Sequence, residues 1–226
     1  MRPVNRGPAP KTYSDYRDAR NDLVDRLGWY CSYCEMPVKN MIEVEHVIPK
    51  SLPPFLELDW DNFLLSCRYC NGVKGSGNPS RAGYLWPDQD NTDFVFDYDE
   101  VNVINMKTGL GQAIENAANE TIDLMGLNRI WGGAEEPTEA DTRPFSRQEA
   151  WFEARASLDR WTGAPIPLMA AQIGATAAGF GHFSIWCTVF DREQTVINAI
   201  RIAFRGTYND TDPATGNRIV RPTALI

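Results

Sequence analysis

Four of the five cysteines fall into two pairs of identical spacing, Cys31-Ser32-Tyr33-Cys34 and Cys67-Arg68-Tyr69-Cys70. No other feature restricts the fold as much. Two CxxC knuckles can place four thiolates tetrahedrally around one zinc ion, so two segments far apart in sequence must meet. The stretch from Cys34 to Cys67 is longer than in a short zinc ribbon, and a folded unit is expected inside it. With four thiolates there is no open position for water, so the zinc is expected to be structural. Reduced cysteines without metal would not explain two pairs of matching spacing. A redox dithiol would need a strand-to-helix setting that neither pair has. Cys187 lies among Phe183, Ile185, Trp186 and Phe190 and reads as a core thiol.

The residues between and just after the knuckles carry the chemistry. They read Ile42-Glu43-Val44-Glu45-His46-Val47-Ile48-Pro49-Lys50-Ser51, then Asp59-Trp60-Asp61-Asn62-Phe63-Leu64-Leu65-Ser66, and Asn71-Gly72-Val73-Lys74-Gly75. Neutral imidazole can take a proton from water near pH 7. A hard cation takes oxygen ligands, which the carboxylates and side-chain amides of this stretch offer. In a strand Glu45 and His46 point to opposite faces, so a twist or bulge is expected if both are to serve one site.

The order acid-His, Asn before an apolar strand, then Cys-Asn-x-x-Lys resembles the HNH endonuclease family, in its variant with Asn at the third position (HNN). The resemblance covers Tyr30 to Gly75. It implies an α+β chain with a ββα-metal core and a four-Cys zinc site, followed by a mainly helical C-terminal region. Ile42–Val47 and Phe63–Ser66 would be the strands, with a helix from near Tyr69. By position, Glu45 and Asn71 match the ligands of a catalytic Mg²⁺ or Mn²⁺, and His46 matches the general base. Asn62 matches the residue that orients the histidine through the hairpin loop. Glu45 departs from the family's more frequent Asp. Lys50, Arg68 and Lys74 are the candidate phosphate contacts, with double-stranded DNA the expected substrate. A non-catalytic zinc module that binds nucleic acid or protein is the alternative.

The rest of the chain divides into an arm and helix over 1–28, a core over 29–80, a strand pair, helix and linker over 81–145, and helices over 146–226. A helix is expected from Thr12 to Leu27, with Thr12 as cap and Gly28 as stop. Phe94, Phe96 and Tyr98 alternate as a strand, paired with Val101–Ile104. Ile114, Ala117, Thr121 and Met125 repeat at helical spacing. A linker is expected over Gly132–Pro144, then a capping box at Ser146 and Glu149 before the stripe Trp151, Ala154, Leu158, Trp161. Helices follow over about Leu168–Phe190 and Glu193–Phe204. His182 reads as a core or surface residue.

Met1–Pro10 has no apolar core, so no signal peptide is read there. The apolar stretch Ile173–Phe190 is broken by glycines, short of the roughly 20 apolar residues of a membrane span. The expected location is the cytoplasm. The net charge of −8 is unusual for a protein that grips DNA alone, since phosphate contacts supply most of the affinity. The Arg2-Pro3 start, Tyr33-Cys34-Glu35 and Glu45-His46-Val47-Ile48-Pro49-Lys50-Ser51-Leu52-Pro53 resemble a group of bacterial HNH proteins. Some of its members are nuclease partners of an ATPase in Septu-type anti-phage systems. That resemblance implies an ATPase partner, which would supply the missing grip.

Overall fold

A computed structural model describes residues 1–52, 54–100, 103–212, 218–221 and 224–226. The chain opens with an arm that is clamped. Val4 bridges to Thr207, and the Arg6 guanidinium donates to the Phe63 carbonyl (2.9 Å) and to Asp88 (2.8 Å). Thr12 does not cap the first helix. Asp15 caps a 3-10 turn over Tyr16–Asp18 by accepting from the Arg17 amide, and α1 runs over Ala19–Leu27. Leu23 and Leu27 are buried, and α1 packs on the strands that follow.

Those strands are β1 (Glu43–His46) and β2 (Phe63–Ser66), an antiparallel pair with Glu43 opposite Ser66 and His46 opposite Phe63. Every residue of β2 is buried, which the apolar run Phe63-Leu64-Leu65 requires. The helix α2 (Arg68–Lys74) starts where the Cys67 sulfur accepts from the Cys70 amide. Together β1, β2 and α2 make the ββα unit that the resemblance implies.

The second strand pair is displaced from its expected place. Thr92–Phe94 is a 3-10 turn, β3 is Phe96–Tyr98, and β4 is Ile104–Met106. Val101, placed in the partner strand by its pattern, lies outside the described residues. Helix α3 (Gln112–Met125) buries Ala117, Thr121 and Met125 and packs on α2.

Helix α4 (Arg143–Gly163) begins before Ser146, so the capping box is not used. Pro144 fits the first turn because its missing N–H has no partner there in any case. Asp141 and Arg143 are buried, so the expected linker ends in packed structure. The single helix expected over Leu168–Phe190 is two: α5 (Pro167–Phe180) and α6 (Phe183–Val189). Gly181 breaks it with φ +73, where a Cβ would stand 2.6 Å from Pro37 and 2.8 Å from the Glu35 carbonyl. Helix α7 (Gln194–Ala203) lies on α5, so close at Gly174 that a Cβ would be 2.7 Å from the Ala199 carbonyl oxygen. Cys187 is half-buried against the core, beside buried Trp186 and Phe190. No helix among the described residues is long and apolar enough to cross a membrane.

Candidate active site and metal centre

The hairpin and α2 bring all four knuckle cysteines to one point. The sulfurs of Cys31, Cys34, Cys67 and Cys70 lie within 4.8 Å of one another, and all four residues are buried. Tetrahedral zinc with ligands at about 2.3 Å separates its sulfurs by about 3.8 Å; Cys34 and Cys67 are 3.7 Å apart. Burial pushes the Cys31 and Cys34 thiols up, while hydrogen bonds from the neighbouring thiols hold Cys67 far below its ordinary value. Four buried sulfurs at this spacing, deprotonated as the metal binds, are the donor set that zinc takes. The cluster has a cationic neighbour that its sequence does not announce. Arg143, at the start of α4, donates to the Cys70 sulfur (3.3 Å) and the Met125 carbonyl (2.9 Å). A fork of bonds to Asp141 holds its guanidinium in place.

Both glutamates of β1 leave the same face and meet α2 in two rungs. Asn71 donates to Glu43 at 2.6 Å, and one turn on, the Lys74 ammonium sits 2.7 Å from Glu45. Asn71 and Lys74 are three apart, so they share a helix face. The lower rung is sealed: the Lys74 and Glu45 side chains are 1% and 4% exposed. Lys74 also donates to the His46 carbonyl (2.9 Å). Burial pushes the Glu45 carboxyl up to about 7 against the pull of Lys74. Lys74 therefore cannot serve as the surface phosphate contact proposed from sequence, because its charge is spent inside the fold. The acid that meets Asn71 is Glu43, which sequence reasoning passed over. Two acids one strand period apart were the available signal.

No bulge separates Glu45 from His46: they pair in regular register with Leu64 and Phe63. His46 thus leaves the opposite face, edge-on to Tyr16 (centroids 4.8 Å) and Phe63 (5.2 Å). Its Nε2 lies 2.9 Å from the Glu57 carbonyl oxygen. A carbonyl only accepts, so Nε2 carries the proton and Nδ1 keeps the lone pair. Burial lowers the imidazole's pKa, with Lys50 and Lys74 adding to it, so the ring is neutral at pH 7. Asn62 accepts from the Ile48 amide (2.8 Å) and donates to the Ile48 and Leu56 carbonyls (2.8 and 3.3 Å). It ties the end of β1 to the turn that carries Glu57.

A cleft of about 680 Å³ opens beside this unit, with Tyr16, Arg17, Arg20, Glu43 and Asn71 among its walls. Of the other sequence-chosen cations, Lys50 is half-exposed, 4.2 Å over the Tyr16 ring and 3.6 Å from Glu57. Arg68 is exposed at the start of α2.

The same segment is what known proteins share. Residues 31–77 match the family model for HNH endonucleases. The chain is also 30% identical over 111 residues to the Septu protein PtuB of Bacillus thuringiensis. That match covers 48% of this chain and 40% of the relative. Four clustered cysteines, a ββα unit and the family match coincide over one stretch: residues 31–77 of this chain are an HNH endonuclease-family domain.

Proposed function

We propose that the chain is a metal-dependent endonuclease that hydrolyses phosphodiester bonds of nucleic acid, with double-stranded DNA as substrate. The observation that carries this reading is the His46 ring, held through Nε2 by the Glu57 carbonyl and with its pKa lowered by burial. A neutral imidazole with its tautomer set by a backbone carbonyl is prepared to act as a base. Nδ1 would take the proton of the attacking water as its oxygen bonds to phosphorus and the P–O bond to the leaving oxygen breaks. Asn62 would hold the turn that orients the ring.

Two oxygen donors on the open cleft, from Glu43 and Asn71, suit a hard divalent cation that keeps several waters. Such a Mg²⁺ or Mn²⁺ would neutralise charge developing on the phosphoryl and leaving oxygens. Glu45, the ligand chosen by position, would join it on release from Lys74. The cysteine cluster would hold a structural Zn²⁺ and so fix the start of α2, which carries Asn71.

Similarity to a Septu protein supports a place in anti-phage defence, beside an ATPase that would bring the DNA. The competing reading, a non-catalytic zinc-stabilised binding module, rests on the Glu45–Lys74 pair, which leaves Glu45 already neutralised. Plasmid incubated with Mg²⁺ or Mn²⁺, with and without the proteins encoded beside this one, separates the two. Wild type should nick or linearise it, and His46→Ala should be slower by about 10²–10⁴-fold with unchanged zinc content. Equal rates for the two would end the mechanism; no cutting under any condition would favour the binding module.

A further inference from the structure

A net charge of −8 leaves open where a nuclease of this composition would hold its substrate. The cations picked out near the motif do not provide the place. Lys74 is buried on Glu45, Lys50 is shared between Glu57 and the Tyr16 ring, and Arg68 is outside the cleft walls. The cleft itself has cations, and they come from a different part of the chain. Arg17, in the 3-10 turn, and Arg20, in the first turn of α1, line the same space as Glu43 and Asn71.

The geometry points to this cleft as a groove for the sugar-phosphate strand, with Arg17 and Arg20 as its phosphate clamp. The inference rests on the nuclease reading and adds the substrate-holding residues to it. Arg20 is exposed, and its guanidinium has no ion pair among the described residues. Arg17 is exposed too, 3.0 Å from half-exposed Asp15. A solvent-exposed pair of this kind is worth about 0.2–1 kcal/mol, so a phosphate can displace the carboxylate. Guanidinium forks bind phosphate oxygens in two parallel hydrogen bonds, which fixes orientation as well as charge.

The position of these arginines matters as much as their charge. Tyr16 adjoins Arg17 in the chain, lines the cleft, and packs edge-on against His46. A strand held by Arg17 and Arg20 would therefore run past the Glu43–Asn71 pair, along a wall whose Tyr16 ring also touches His46. Asp18 also lines the cleft, and with Glu43 it limits the grip to a few phosphates. The clamp reads the backbone rather than bases, so contacts are expected to be independent of sequence. It is short enough that affinity depends steeply on both arginines.

The test measures binding without cutting. Fluorescence anisotropy of a labelled duplex oligonucleotide is followed in Ca²⁺ across a salt series, beginning at low salt. Each lost phosphate contact lowers the slope of log K against log salt by about 0.9, so the double variant R17A/R20A should lose roughly 2 from the wild-type slope. Arg17→Lys and Arg20→Lys should keep most of the slope but lose affinity. Arg155→Ala, which removes an exposed arginine of α4, should change nothing. Zinc content and far-UV circular dichroism confirm that the exposed substitutions leave the fold intact. A double variant that binds with the wild-type slope overturns the clamp while leaving the nuclease reading in place. A wild type that neither binds nor cuts the duplex at low salt overturns both.

Discussion

Asn62 makes three hydrogen bonds to the backbone around His46, and none to His46 itself. Its effect on catalysis would therefore pass through the Glu57 carbonyl, whose position decides which imidazole nitrogen is free. Asn62→Ala leaves partly buried backbone groups unpaired and should destabilise the domain by about 1 kcal/mol. Cutting should fall further than folding, by about 10²-fold in kcat at little change in KM, since small misplacements of a reacting group are that costly. A kcat loss no larger than the loss of folded protein would remove Asn62 from this role. Arg143 shows a second effect at the same scale. A zinc ion with four thiolates carries a net negative charge, and the Arg143 guanidinium is the cation hydrogen-bonded to one of the sulfurs. Groups bonded to metal ligands typically change metal affinity by about 10–100-fold when removed. Arg143→Gln should lose zinc to a chelator faster by about that factor, and the cobalt-substituted protein should show a shifted sulfur-to-metal absorption. Wild-type release kinetics and spectrum in that variant would refute it.

At the scale of elements, the knuckles are held from outside the ββα unit. The second is tied to α4 by Arg143, and the first to the α5–α6 break, where the His182 amide donates to the Glu35 carbonyl (3.0 Å). The Glu35 carboxylate in turn accepts from the Ser184 amide and hydroxyl (2.8 and 2.6 Å). The break is thus a docking point, and Gly181 is what permits it. Gly181→Ala forces a Cβ against Pro37 and the Glu35 carbonyl at positive φ. It should lower stability by about 1–3 kcal/mol, read as a lower urea midpoint at constant m-value. An unchanged midpoint would show that the break tolerates a side chain. Helical spacing was sufficient to find α3, while the β1–β2 hairpin followed from the likeness of the motif to HNH endonucleases. The break inside Leu168–Phe190 was marked in the sequence by Gly181, one of the glycines that interrupt the apolar stretch, but periodicity reports a shared face rather than a turn. The start of α4 was missed because Ser146-x-x-Glu149 has the form of a cap, while the Ser146 hydroxyl is used by His182 Nε2 at 2.9 Å.

For the whole molecule, that same histidine makes stability depend on pH. His182 is fully buried, and burial lowers its pKa to about 3, with Glu35 opposing and Arg147 assisting. It is neutral when folded, whereas in the unfolded chain it takes a proton below about pH 6.5. The unfolded state therefore binds more protons between those values, and stability falls as the pH drops through them, by up to about 1.4 kcal/mol per unit. His182→Asn tolerates the positive φ and cannot titrate. Urea titrations at several pH values should show the wild type losing stability relative to His182→Asn below pH 6.5, with thiolate protonation cancelling in the difference. Parallel curves would contradict the assignment. The sequence determined the four cysteines as one cluster by their spacing, and the likeness of its motif to HNH endonucleases gave the ββα order and His46, Asn62 and Asn71 as candidate site residues. These follow from local spacing and residue type, which survive in one dimension. Tertiary structure decided that Asn71 meets Glu43, that Lys74 is buried on Glu45, that a backbone carbonyl sets the His46 tautomer, and that Arg17, Arg20 and Arg143 reach the two centres. Those outcomes depend on which strand face meets which helix face and on contacts between residues distant in the chain. Residue identity does not encode such contacts until the chain has packed.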